Sequence, residues 1–228
     1  MNTRFKLISK GDIKMEFNTN QKEAIHTIDG NMVVIAAAGS GKTSVLTYRI
    51  LNMVKNHGID PTTILAVTFS KKAKESIEQR LGKLGVANVN VETFHSLALK
   101  IITSTYGYGK YKVWTASWEK EKALKEICCD LLGLCRNKDD VPYNGILRFL
   151  GIQKTNMLGA TDSLIYSDDD PYPDDRMKKI YKMYEDYKKD KSYIEFDDFL
   201  NMANQCFDKF PDILKFYHLS AFFSSSSF

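Results

Sequence analysis

The stretch from Met32 to Thr43 constrains the fold of this chain more than any other. It begins with an apolar run and continues through small residues into Gly41-Lys42-Thr43; in full it reads Met32-Val33-Val34-Ile35-Ala36-Ala37-Ala38-Gly39-Ser40-Gly41-Lys42-Thr43. This order predicts a buried strand, a loop, and a helix that begins near Lys42. A strand, loop and helix in this order are typical of α/β folds with a parallel sheet.

The second half of this stretch has the form [AG]-x-x-x-x-G-K-[ST], which is the form of a phosphate-binding loop. Backbone N–H groups converge on phosphate oxygens only where side chains are absent or small, and a helix N-terminus adds partial positive charge. Lys42 would then reach the β- and γ-phosphates, and Thr43 would offer its hydroxyl to Mg²⁺. The alternative is an ordinary glycine-rich turn before a helix, but the strand and helix that the motif requires are both predicted here.

Composition sets broad limits on the class of protein. The chain has 228 residues with 43% hydrophobic content, enough for the core of one or two domains. No apolar run approaches the ~20 residues that span a bilayer, and the start lacks the apolar stretch of a signal peptide, so we expect a cytoplasmic protein without a membrane partner. Its four cysteines have neither metal-site nor redox spacing and are expected to be buried apolar side chains.

Charge is distributed unevenly along the chain. Residues 1–110 carry 15 Lys and Arg against 8 Asp and Glu, whereas residues 111–228 carry 17 against 20. A basic N-terminal half that holds a nucleotide loop suggests a polyanionic partner, although a solvated basic surface is the commoner explanation.

Strands and helices alternate around the predicted loop. A helix capped by Asn18, Thr19 or Asn20 precedes it, a second buried strand covers Ile64 to Phe69, and a third short strand covers Val89 to Val91. Helices follow each of these strands, which predicts a parallel sheet with helices on its faces and a nucleotide at the carboxyl ends of the strands.

Four segments in order now carry a family resemblance. They are Phe17 to Ile25, Ala36 to Thr43, Ile64 to Ala73 and Thr93 to Leu97. Together they resemble the Q motif and motifs I, Ia and Ib of UvrD/Rep/PcrA-type superfamily 1 DNA helicases, and the resemblance extends over residues 14 to 217.

The resemblance implies a fold and a domain organisation. The fold would be α/β, a RecA-like P-loop NTPase sheet flanked by helices, with an inserted and mostly helical subdomain. Residues 1–104 and 192–228 would form the ATP-binding domain, and residues 105–191 would form the insertion.

The resemblance also implies roles for individual residues. ATP with Mg²⁺ would bind the loop from Ala36 to Thr43, and the Gln21 amide would recognise the adenine edge. Single-stranded DNA would lie along Thr68, Phe69 and Ser70, with the ring of Phe69 stacking on a base. The same track would include Thr93, Phe94 and His95. The plainer alternatives are a surface glutamine for Gln21 and an ordinary core residue for Phe69.

One family feature is missing from the sequence. In the family, the strand that follows the segment ending at Tyr217 ends in an Asp-Glu pair that holds Mg²⁺ and positions the attacking water. Here the chain continues as His218-Leu219-Ser220-Ala221-Phe222-Phe223 and then serines. We therefore expect a chain that by itself hydrolyses ATP negligibly and does not unwind DNA, and a companion chain could supply the missing motifs.

Three interpretations of function follow. The first is the ATP-binding part of a UvrD-type DNA helicase that binds single-stranded DNA. The second is a non-catalytic module that binds single-stranded DNA or a partner helicase. The third is an inert product of a frameshifted or truncated helicase gene, which would fold poorly because the sheet lacks its next strand. A different P-loop enzyme, such as a small-molecule kinase, leaves the match from Thr93 to Ser96 unexplained.

Overall fold

A computed structural model describes residues 16–37, 39–218 and 221–225. The chain divides into two compact units. Unit 1 comprises the residues up to Leu97 together with those from Asp212 onward, and unit 2 is Ala98–Pro211. The family resemblance implies an insertion of residues 105–191. Unit 2 begins before this predicted insertion and ends after it.

The described residues form nine α-helices and five strands. The α-helices are α1 Thr19–His26, α2 Lys42–Lys55, α3 Lys71–Lys83, α4 Phe94–Tyr106, α5 Ser117–Lys125, α6 Tyr143–Thr155, α7 Asp175–Lys191, α8 Phe196–Lys209 and α9 Pro211–His218. The strands are β1 Ile64–Thr68, β2 Asn90–Thr93, β3 Lys112–Val113, β4 Tyr193–Ile194 and β5 Ala221–Ser225. A π-helical segment, Glu126–Leu131, continues α5. No described helix has the length and apolar character needed to span a bilayer.

The sheet of unit 1 is parallel, with the strand order β2-β1-β5. All five residues of β1 are buried, four of them are apolar, and three are β-branched, which suits a central strand covered on both faces. The predictions of strands at Ile64 to Phe69 and near Val89 to Val91 are confirmed. On the other edge of β1, Ile64 pairs with Ala221 and Thr68 with Ser225. The sheet therefore has a third strand, and the premise of the inert-product interpretation is wrong.

The predicted strand from Met32 to Ala36 is not formed. These residues have no regular secondary structure, and the side chains of Val33 and Ile35 are 87% and 95% exposed. An apolar run becomes a strand only where a neighbouring strand accepts and donates its backbone hydrogen bonds. Among the described residues no strand pairs with this stretch, so it does not form a strand despite its apolar pattern.

The core of unit 1 lies between the sheet and its flanking helices. Ile64 and Ala66 of β1 are fully buried against residues of α2 and α3. The wider cluster consists of Ile50, Leu51, Met53, Ile77, Leu81, Val86 and Val91. This packing fixes α2, and therefore the loop that precedes it, against the sheet.

Unit 2 is mostly helical and is built around an aromatic stack. Trp114 is 2% exposed and stacks with Tyr184 and Tyr193, whose ring centroids lie 5.6 Å and 4.9 Å from its own. The Trp114 Nε1–H donates to Glu119 Oε2 at 2.8 Å, so its polar group is satisfied. The short strands β3 and β4 pair in parallel beside it.

A buried ion-pair network joins the helices of unit 2. Lys154 Nζ of α6 lies 2.8 Å from Glu195 Oε2, 2.9 Å from Asp198 Oδ1 and 3.1 Å from Glu185 Oε1. Lys188 Nζ of α7 lies 2.6 Å from Asp198 Oδ2. Lys120 pairs with Glu195 as well. Three ammonium groups therefore balance three carboxylates, and α8 is fixed to α6 and α7 within unit 2.

Candidate nucleotide and nucleic-acid site

The loop before α2 depends on two glycines in the left-handed region. Gly39 has φ 75° and Gly41, the N-cap of α2, has φ 86°, and glycine adopts this conformation without steric cost. The Ser40 N–H donates to Ala37 O at 3.2 Å, which closes the turn. Ala38 lies outside the described residues, so its expected contact with phosphate is not located.

Helix α2 begins at Lys42, as the sequence predicts, and Thr43 follows in its first turn. The first N–H groups of a helix have no acceptor within it, and the helix dipole places partial positive charge there. Lys42 Nζ donates to Ala36 O at 2.9 Å and to Ala37 O at 2.8 Å, so the ammonium group lies over the loop. A phosphate oxygen is a stronger acceptor for an ammonium group than a neutral carbonyl and would compete for it.

Gln21 contacts the same loop. Its Nε2 donates to Ser40 O at 3.0 Å, while its Oε1 accepts from the Asn18 N–H at 3.0 Å in a capping box that begins α1. The capping role of Asn18 is confirmed. The Gln21 side chain therefore lies beside Gly41, and an adenine would have to replace these two hydrogen bonds.

Two buried polar residues of α2 attach α1 to α2, and sequence reasoning missed both. Arg49 Nη1 donates to Ala24 O at 2.6 Å, and Asn52 Nδ2 donates to Ile25 O at 3.1 Å. Both carbonyls belong to the last turn of α1, where the carbonyl groups have no N–H donor within the helix. Burial lowers the pKa of the Arg49 guanidinium. A polar residue within an apolar helical face was the only signal in the sequence.

Of the three hydroxyl groups predicted to face DNA, those of Ser70 and Thr93 have structural partners. Ser70 Oγ accepts from the Ala73 N–H at 3.1 Å and caps α3, while Thr93 Oγ1 accepts from the Ser96 N–H at 3.1 Å at the start of α4. Thr68 is 1% exposed, so its side chain does not lie on the surface with Phe69 as expected. Ser70 and Thr93 are therefore explained by helix capping.

Phe69 and Phe94 form an aromatic pair at the carboxyl ends of β1 and β2. Their ring centroids are 5.0 Å apart with an interplanar angle of 53°. Phe69 is 63% exposed, which argues against its being an ordinary core residue. His95 is exposed beside Phe94 in the sequence, and Lys71 and Lys72 are exposed in the first turn of α3. Flat aromatic faces with nearby cations suit a polyanion that carries bases.

A buried carboxylate supports this edge of the sheet. Glu92 of β2 is 5% exposed, and its Oε2 accepts from Ser96 Oγ at 2.6 Å and from Lys74 Nζ at 3.1 Å. These bonds link β2 to the first turns of α3 and α4. Sequence reasoning missed Glu92 because a single glutamate in a short strand carries no pattern.

A glycine-turned loop at the start of a helix, beside a small parallel sheet, is typical of α/β proteins that have a phosphate-binding loop. The sequence model of the family described as UvrD/REP helicase N-terminal domain matches residues 17–221, and the chain belongs to this family. The resemblance drawn from the four sequence segments is confirmed.

Individual relatives agree with this assignment. The chain is 33% identical over 207 residues to DNA helicase II of Rickettsia typhi, covering 88% of the chain and 31% of the relative. It is 30% identical over 209 residues to the ATP-dependent DNA helicase PcrA of Leuconostoc citreum, covering 88% and 27%. The chain thus spans between a quarter and a third of the length of these relatives.

Proposed function

We propose that this chain binds ATP with Mg²⁺ through the loop from Ala36 to Thr43, as the nucleotide-binding part of an ATP-dependent DNA helicase. The observation that carries the proposal is the position of Lys42. Its ammonium group is held over the loop by two carbonyl oxygens, at the N-terminus of α2. Positive charge and N–H donors at one point suit the phosphates of a nucleotide.

Each residue of the loop has a role in this proposal. The backbone N–H groups from Ala37 to Gly41 surround the phosphates, Lys42 contacts the β- and γ-phosphates, and Thr43 offers its hydroxyl to Mg²⁺. Gln21 exchanges its hydrogen bonds to Ser40 and Asn18 for bonds to the adenine. Bound Mg²⁺ would neutralise part of the phosphate charge. We also propose that the sheet belongs to a RecA-like domain.

Nucleotide affinity tests the proposal directly. We expect Lys42→Ala to weaken binding of a fluorescent ATP analogue by at least tenfold, because a charge-assisted contact to phosphate is lost. Lys55→Ala is the matched control, since Lys55 is an exposed lysine in the last turn of the same helix. Equal affinities for the two variants would show that the nucleotide does not use this loop.

We further propose that single-stranded DNA binds along Phe69, Phe94 and His95, with exposed Lys71 and Lys72 contacting phosphates. Base stacking on an aromatic ring is worth about 1–3 kcal/mol per base, so Phe69→Ala should weaken binding of a labelled oligo-dT by about fivefold or more. Tyr108→Ala is the control, because Tyr108 is a 91% exposed aromatic residue of unit 2. Fluorescence anisotropy measures both variants.

The same titration, repeated with Mg-ATP, distinguishes a motor fragment from a simple DNA-binding module. A nucleotide-linked protein should change its affinity for oligo-dT when ATP is added, and Lys42→Ala should abolish that change. DNA binding that is indifferent to ATP and to Lys42→Ala would favour the non-catalytic module.

Turnover is a separate question from binding. No Asp or Glu follows Asp212 in the 228 residues of this chain. In the family, an acidic pair beyond this point positions Mg²⁺ and water, and a second motor domain supplies arginine fingers. For a polypeptide of these residues alone, we expect nucleotide binding with ATP hydrolysis close to the buffer background, measured by phosphate release.

A further inference from the structure

Two of the four cysteines lie in contact, although their spacing in the sequence predicted no redox pair. The Sγ atoms of Cys129 and Cys135 are 3.0 Å apart in unit 2. A disulfide bond is about 2.05 Å long, so a shift of about 1 Å would bring the sulfur atoms to bonding distance. The prediction that Cys129 and Cys135 are buried apolar side chains is therefore incomplete, because both are half-buried and in contact with each other.

A reversal of the chain brings the two sulfur atoms together. The π-helical segment Glu126–Leu131 carries Cys129, and the Leu132 N–H donates to Ile127 O at 3.0 Å. Gly133, with φ 62°, then turns the chain, and the Leu134 N–H donates to Cys128 O at 2.8 Å. A glycine in the left-handed region commonly ends a helix, and here the closing hydrogen bond spans one residue more than usual because the segment is π-helical. This turn places Cys135 back over the last turn, beside Cys129.

The other two cysteines are placed differently. Cys128 and Cys206 are both fully buried, whereas Cys129 and Cys135 are half-buried at the end of the helical segment. Burial raises the pKa of Cys128 to about 12 and that of Cys135 to about 11, and the neighbouring Cys129 adds to the second shift. The raised pKa of Cys135 does not favour its thiolate, so the argument for this pair depends on the short distance between the two sulfur atoms.

We propose that Cys129 and Cys135 form a reversible disulfide when the protein meets a low-molecular-weight disulfide. One protein thiolate attacks that disulfide, forms a mixed disulfide and releases one small thiol. The second protein thiolate then attacks the protein sulfur of the mixed disulfide and releases the second small thiol. In total, two protein thiols lose two protons and two electrons, and the small disulfide is reduced to two thiols.

Incubation of the full chain with oxidised glutathione tests this directly. We expect the number of thiols, titrated after denaturation, to fall from four to two and to return to four with dithiothreitol. Combined cleavage by trypsin and by a protease that cuts before aspartate releases residues 126–129 and 130–136 as separate peptides. After oxidation these peptides should be joined, with a mass 2 Da below the sum of the two.

Adjacent cysteines provide a matched pair of variants. Cys128→Ala and the distant control Cys206→Ala should still form the bond, falling from three thiols to one. Cys129→Ala and Cys135→Ala should each keep three thiols. The joined peptide of the wild-type chain, fragmented between Cys128 and Cys129, gives the same information if a variant fails to fold.

Several results would overturn the proposal. Four thiols remaining in the wild-type chain, or stable glutathione adducts in place of the joined peptides, would show that the pair does not close. A joined peptide that persists in Cys129→Ala but disappears in Cys128→Ala would show that Cys128, and not Cys129, forms the bond with Cys135.

Discussion

At the scale of single residues, Glu195 shows how a buried charge is retained. It is 7% exposed, and its carboxylate contacts Lys154, Lys120 and the hydroxyl of Tyr184. Burial alone would raise the pKa of Glu195, but Lys154 and Lys188 outweigh burial and lower it to about 2. Burial likewise opposes the charged form of Lys154, and the surrounding carboxylates raise its pKa instead.

This network predicts loss of stability in acid. A carboxyl group whose pKa falls on folding stabilises the native state above its unfolded value, here 4.5, and loses that contribution as the pH falls towards the folded value of about 2. We expect the free energy of unfolding to decline by about 3 kcal/mol from this group between pH 4.5 and 2. Urea denaturation at a series of pH values, followed by circular dichroism, measures the decline.

Glu195→Gln isolates this contribution. The variant should be less stable at pH 7 by about 3 kcal/mol, because it leaves buried ammonium groups short of a counter-charge, and its decline below pH 4.5 should be smaller. Asp186→Asn is the control, since Asp186 pairs with Lys182 on the exposed surface of α7 and such pairs contribute about 0–1 kcal/mol. Equal effects of the two variants would contradict a special role for the buried network.

At the scale of elements, α2 links the phosphate loop to α1. Its N-terminus follows Gly41, and its buried Asn52 holds the last turn of α1, the helix that carries Gln21. Asn52→Ala leaves the carbonyl of Ile25 without this donor, which should cost about 1–3 kcal/mol of stability. We also expect a loss of nucleotide affinity of a few-fold, since Gln21 would be held less firmly against Ser40.

The matched control for this variant is Asn56→Ala. Asn56 is exposed and donates to Asn52 Oδ1 at 2.7 Å, so its removal spares the bond between Asn52 and Ile25. Thermal unfolding and titration with the fluorescent nucleotide compare the two variants. A nucleotide affinity unchanged in Asn52→Ala would show that the attachment of α1 to α2 does not influence nucleotide binding.

Element prediction from the sequence succeeded where local pattern and tertiary environment agree. The start of α2 at Lys42 was predictable, because a phosphate-loop motif fixes both the glycine turn and the helix start. The strand β1 was predictable as well, since its apolar residues are buried on both faces. The run from Met32 to Ala36 has an equally apolar pattern but no neighbouring strand among the described residues, so the same reasoning failed there.

At the scale of the whole molecule, we expect nucleotide binding to slow hydrogen exchange in unit 1 and not in unit 2. Ligand at one hundred times its dissociation constant stabilises the bound state by about 2.7 kcal/mol. With saturating Mg-ATP, we expect slower hydrogen exchange in peptides covering α1, the loop and the first turns of α2. Mass spectrometry measures the exchange. Lys42→Ala is the control, and its exchange should not change when Mg-ATP is added. Protection confined to unit 2 would contradict a site in unit 1.

The sequence by itself determined the glycine turn before α2, the start of α2, the buried strand β1 and the family, because each depends on residue types at fixed spacing. Tertiary structure alone decided which polar groups meet. Arg49 and Asn52 donate to carbonyl groups of α1, Lys154 pairs with three carboxylates, and Cys129 contacts Cys135. Tertiary structure also decided that β5 pairs with β1 while Val33 to Ile35 remain exposed. The physical reason is that backbone preference is local, whereas hydrogen-bond partners and strand neighbours come from distant parts of the chain.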